Sequence, residues 1–180
     1  MKYLIHLKRQ VKVWHFLISL GAMLIFITLI LPMESANFSE ASGGVSAPDS
    51  KLFYTSDDLF DIAEEIGEQG RRAYIISRLR FDIAWPVTYG AVLFTGLSLS
   101  LPSRKRYYWI LYLPLLAVIC DFFENTIVSI VFYNYPDQVM ILSHLAGIFT
   151  FLKWNSLILG YVLLGVAFLY MIKEKAFSTK

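Results

Sequence analysis

Asp121, Glu124 and Asn125 stand three and four residues apart in the stretch CDFFENTIVSI, residues 120–130. On a helix they share one face. Two carboxyls and an amide are costly in an apolar span, and ionisable groups at such depth are read first as functional. A carboxyl kept protonated in a low-dielectric pocket donates a proton, while a neighbour paired with a cation stays ionised. If the chain is an enzyme, Asp121 and Glu124 are its expected catalytic residues. Asp82, Trp85, Pro86 and Tyr89 follow one face of a second apolar segment. Trp85 and Tyr89 suit a cationic or aromatic group, or simply interface packing. Lys153 and Asn155 come from the last apolar segment. On a regular helix they point nearly opposite ways, so either they face different neighbours or the helix bends at 150–154. The expected ligand-binding set is Asp82, Trp85, Tyr89, Asp121, Glu124, Asn125, Lys153 and Asn155.

Other chemistries fit less well. His6, His15 and His144 fall at three different depths, which excludes a bis-histidine haem, and no HExxH motif is present. An oxygen-only site of Asp82, Asp121 and Glu124 would suit Mg²⁺ but has no histidine at its level. No metal or cofactor is expected. A Ser129–His144–Asp82 triad has no nucleophile motif behind it. Cys120 is the only cysteine, so no intramolecular disulfide forms. The net charge of +2 gives no reason to expect a nucleic-acid partner, and no basic block with interleaved stacking aromatics lies on a polar background. The inner half of the spans is uniformly apolar, which argues against an ion path.

The elements that must position these groups follow from composition. The 180 residues are 57% hydrophobic and 17% charged, with a mean hydropathy of +0.56. A soluble domain carries about 25% charged residues. The expected fold is all-α: one polytopic domain over 1–180, a four-helix transmembrane bundle with an amphipathic extracytoplasmic helix in its first loop. The spans are expected at 13–32, 82–101, 107–133 and 139–172, with the loop at 33–81. A cleaved signal peptide is the alternative for the first span, given the basic start and Ser35-Ala36. Its apolar run exceeds the about 7–15 residues of a signal core, so a retained helix is expected. Four spans put ten lysines and arginines on one side and five on the other. The positive-inside rule then makes both termini cytoplasmic. The expected location is the cytoplasmic membrane, multi-pass, in a bacterial cell.

In the loop, ESANFSEASGGVSAPDS reads as a flexible tether. Leu59, Ile62, Ala63 and Ile66 then recur at helical spacing. Thr55 or Ser56 is positioned as the cap, and Gly67 and Gly70 as interruptions. Residues 73–80 are expected to continue into the second span. Too short for its own core, the amphipathic helix is expected to be a lid, packed on the bundle or lying on the membrane.

Depth gathers the polar groups. Counted from the basic cytoplasmic ends, Asp121 lies about 18 Å up, level with Tyr89. Glu124 and Asn125 lie at about 22–24 Å, beside Trp85 and Asn155, and Asp82 and Lys153 near 28 Å. All fall in the outer half of a core about 30 Å thick. Two or three carboxyls then face one lysine. Protonation, Arg78, Arg80 or a ligand cation must offset the surplus. The function expected first is an outer-leaflet pocket for a lipid or small amphipathic molecule. A membrane enzyme acting there on a lipophilic substrate is the second reading. An accessory subunit whose polar cluster contacts partner helices is the third. The layout of four helices, a long first outer loop and acidic pocket residues resembles the EXPERA-type membrane proteins, which include sterol isomerases and sigma-2-like receptors. The resemblance is one of topology and transfers no residue role.

Overall fold

The computed structural model describes residues 2–102 and 104–178. Lys180 of the basic tail lies outside the described residues, as do the side chains of Lys2 and Lys175. The described residues form helices and no strand: α1 (Lys2–Gln10), α2 (Val13–Ala41), α3 (Ser56–Glu65), α4 (Gly67–Arg80), α5 (Ala84–Ser100), α6 (Tyr112–Asn134) and α7 (Met140–Ser178). Two short 3₁₀ stretches, Pro48–Ser50 and Lys105–Leu111, precede α3 and α6. Three helices, Val13–Ala41, Lys105–Asn134 and Met140–Glu174, are long and apolar enough to cross a membrane. α4 and α5 qualify only together, bent by 49° at their junction, which makes up to four spans.

Three clusters hold these helices. At one end Leu4, Leu97, Leu101, Ile110, Leu111 and Ala167 pack together. They gather α1, the α5–α6 link and the C-terminal half of α7. Lys8 of α1 donates to the carbonyls of Ser98 at 2.7 Å and Leu101 at 3.0 Å. It thereby satisfies acceptors that the end of α5 leaves free. Tyr89, Leu93, Ala117 and Leu157 fill the middle. At the other end Leu59, Ile62, Ala63 and Ile66 of the loop meet Val128, Val131, Phe132 and Ala146. The amphipathic helix is therefore seated on the ends of α6 and α7. Thr55 caps it: its hydroxyl accepts from the Asp58 N–H, and Asp58 accepts from the Thr55 N–H at 2.8 Å.

Several expectations are corrected. The tether is not a tether: α2 continues to Ala41, well past position 32. The chain then turns at Gly43 and Gly44, both at positive φ, and Pro48 is buried. A π-helical stretch, Phe26–Ile30, lies within α2 just before Pro32. Proline lacks the N–H that would close the turn, and such local widening is a usual accommodation in long apolar helices. Gly67, at φ 63°, separates α3 from α4. Gly70 interrupts nothing. It lies inside α4, where a Cβ would come 3.3 Å from the Ser42 Cα. α4 does not run straight into α5, because the chain bends over 81–83. α7 is continuous through 150–154, so its surplus length is carried by one long helix.

Candidate functional site

Lys153 of α7 is buried and lies 2.5 Å from Glu124 Oε2 and 3.4 Å from Asp121 Oδ1. The spacing on α6 presents both carboxyls to it. Asn125 donates to Asp121 Oδ1 at 3.1 Å, and the Tyr89 hydroxyl donates to Asp121 Oδ2 at 2.7 Å. The depth match of Tyr89 with Asp121 is thus realised as a bond between α5 and α6. Glu124 Oε1 accepts from the Thr150 hydroxyl and, at 3.3 Å, from the Tyr54 hydroxyl. Burial and the Glu124 carboxylate push the Tyr54 phenol far above its ordinary pKa, so it serves as a neutral donor.

A second ion group adjoins the first. Arg78 pairs with Asp82, one turn along the chain, and with Asp49 at 3.0 Å. The Trp154 indole donates to the Asp49 carbonyl at 3.3 Å. Burial works against the charge of Asp49, but Arg78 and Lys153 outweigh it and hold the carboxyl below its ordinary range. Asp82 therefore belongs to Arg78 rather than to Lys153. Arg80 is exposed and takes no place in the cluster.

The structure brings together Asp82, Trp85, Tyr89, Asp121, Glu124, Asn125 and Lys153. Asn155 is a correction. It is exposed and donates to the Phe151 carbonyl at 2.8 Å. Two residues on a continuous helix differ by about 200° in direction, so Lys153 and Asn155 cannot share a site. The triad is not assembled either. Ser129 donates to the Asn125 carbonyl, His144 Nδ1 lies 2.6 Å from Ser56 Oγ, and Asp82 is held by Arg78. The three acids of the oxygen-only metal site are divided between two cations. Asp49, Tyr54 and Thr150 went unnoticed in the sequence. Thr150 stands one helical turn before Lys153, which was a usable signal. Asp49 sits in a small, polar, aperiodic segment that carries none.

A cavity of about 530 Å³ begins at this cluster. Asp49, Asp82, Asp121 and Lys153 line its polar end, with Trp85, Tyr89 and Trp154 around it, and Tyr161 lines it further along α7. Met23, Ile27 and Leu31 of α2 and Leu157, Ile158 and Val162 of α7 supply apolar walls. The eight steps along the helix from Lys153 to Tyr161 extend it about 12 Å along α7. Glu124 does not line it. A second cavity, about 380 Å³, lies towards the loop and shares Leu31, Asp49, Asp82 and Trp85 with the first. The ion cluster thus stands between a loop-side chamber and an apolar chamber. Comparison with protein-family models, curated proteins and solved structures finds no match to the chain.

Proposed function

We propose that the chain is a four-span protein of the cytoplasmic membrane, with both termini cytoplasmic, whose outer half binds a lipid or small amphipathic molecule. The observation that carries this reading is the apolar cavity that ends on a buried ion cluster. An amphiphile needs both surfaces in one continuous space. The volume is within the about 300–1,000 Å³ usual for small-molecule sites. α2 and α7, which wall the cavity, also carry exposed Leu24, Ile25, Ile158 and Val162. In a bilayer that places the site beside the acyl chains, so a ligand would pass in laterally. The π-helical stretch of α2 covers Ile27 in the same wall. Such stretches often mark functional positions. The bent α4–α5 pair supplies the fourth span in this reading.

The other two readings gain less. Asp121 faces the cavity but Glu124 does not, so a substrate there would meet only one of the two carboxyls. Asp82, Asp121 and Glu124 are 3%, 5% and 0% exposed, directed inward rather than towards a partner helix. The test is native mass spectrometry with lipid extraction of gently purified protein. Wild type should carry a bound amphiphile, and Asp121→Asn should lose most of it. Wild-type protein that carries none, and takes none up from a total lipid extract, overturns the proposal.

A further inference from the structure

The basic end of the molecule carries a cavity of its own. About 300 Å³ of space lies between the α5–α6 link and the late turns of α7. It shares no residue with the two cavities at the ion cluster. Its floor is apolar and closed, with Leu101, Ile110 and Ala167 buried there. Its rim is open, because Val166 and Tyr170 of α7 line it and stay exposed. Two arginines of the link, Arg104 and Arg106, stand over this groove, and both are exposed. No aspartate or glutamate lines it. Among the described residues neither arginine forms an ion pair. Arg106 lies 4.7 Å from the centroid of the Tyr107 ring and donates to the Tyr107 hydroxyl. That bond uses an oxygen lone pair and leaves the phenol proton free to donate in turn. Arg9, Lys12 and Lys173 add positive charge to the chain but do not line the groove. The ion cluster meets its charges with charges of the protein. Here two guanidinium groups face an apolar groove that supplies none. A guanidinium binds phosphate oxygens through a planar fork, and a basic pocket between helices on the cytoplasmic side is suited to an anionic lipid head. Trp109, exposed on the same link, fits the headgroup level.

We propose that this groove seats an anionic phospholipid of the cytoplasmic leaflet. Arg104, Arg106 and the Tyr107 hydroxyl hold its phosphate diester, and the top of one acyl chain lies on Leu163, Val166 and Ala167. The rest of the lipid stays in the bilayer. A zwitterionic head would bring its own ammonium to the same two cations, so a net negative head is preferred. The proposal rests on the membrane-spanning reading, which brings this end to the headgroups, and not on the occupant of the outer cavity.

The test titrates the full chain in nonionic detergent with dioleoylphosphatidylglycerol and, separately, with dioleoylphosphatidylcholine. Bound lipid is counted by native mass spectrometry. Phosphatidylglycerol is expected to bind about tenfold more tightly. Arg104→Gln combined with Arg106→Gln should remove that advantage and leave phosphatidylcholine binding unchanged, with thermal unfolding confirming the fold. Arg9→Gln combined with Lys12→Gln removes as much charge outside the groove and should keep most of the advantage. Inorganic phosphate in excess, at constant ionic strength, should leave the bound phosphatidylglycerol in place. Equal affinity of the wild type for the two lipids overturns the proposal. An equal loss in the two double variants also overturns it, since the preference would then belong to the basic surface as a whole. Displacement by inorganic phosphate overturns the lipid and leaves a site for a free anion. Lipid held in the outer cavity gives no difference between the two double variants, so the two readings fail separately.

Discussion

Lys153 is buried among groups of opposite sign on a neighbouring helix, and its removal would strand two carboxyls at once. Breaking a buried pair by deleting one partner costs about 3–5 kcal/mol, because the remaining charge has no partner. Lys153→Met is expected to lower unfolding free energy by that amount. Adding Glu124→Gln should recover a measurable fraction, since one stranded charge disappears, and a double-mutant cycle on thermal unfolding reads the coupling. A double variant no more stable than Lys153→Met alone would show that the two residues do not act together. The α6 trio was legible in the sequence because three and four residues are a helical turn. Arg78 was legible as a neutralising group, being four residues from Asp82. Asp49 was not. Its contribution depends on a loop folding back 29 residues to meet Arg78, and no local pattern records that.

At the scale of elements, the segment between α2 and α3 changed most. It looked solvated, yet it threads Asp49 and Tyr54 into the bundle. Gly147 on α7 permits that path: a Cβ there would collide with the Tyr54 carbonyl oxygen. Gly147→Ala is expected to displace the segment and cost about 1–3 kcal/mol, as overpacking does. Gly165→Ala on the same helix, where a Cβ meets nothing within 4 Å, should be neutral or slightly stabilising. Thermal unfolding and limited proteolysis of 42–55 would compare the two. Equal behaviour would show that the close approach has no consequence. The lid was legible because its apolar face repeats at helical spacing. The bend between α4 and α5 had a signal in Pro86, which has no N–H for the Asp82 carbonyl four residues earlier, but its angle of 49° was not legible.

For the whole molecule, the three clusters order the chain from one end to the other. α1, the α5–α6 link and the late turns of α7 occupy one end, and the lid occupies the opposite one. Single cysteines in a Cys120→Ala background test the proposed orientation. Asp57→Cys should react with a membrane-impermeant maleimide in intact expressing cells, and Lys173→Cys only after the membrane is opened. The reverse pattern would invert the topology and place the acidic cluster in the inner half. By itself the sequence determined the apolar helical segments, the amphipathic helix packed on them and the gathering of the polar residues of separate helices in one region. Those are sums over neighbouring residues, and hydropathy, period and rise per residue are enough to state them. Only the tertiary structure decided which acid meets which base, that Asn155 faces away, and that Tyr54 reaches a carboxyl 70 residues distant. Those contacts depend on the rotation of each helix and the path of each loop. Both are set by packing across the whole bundle, where a displacement of one ångström makes or breaks a pair.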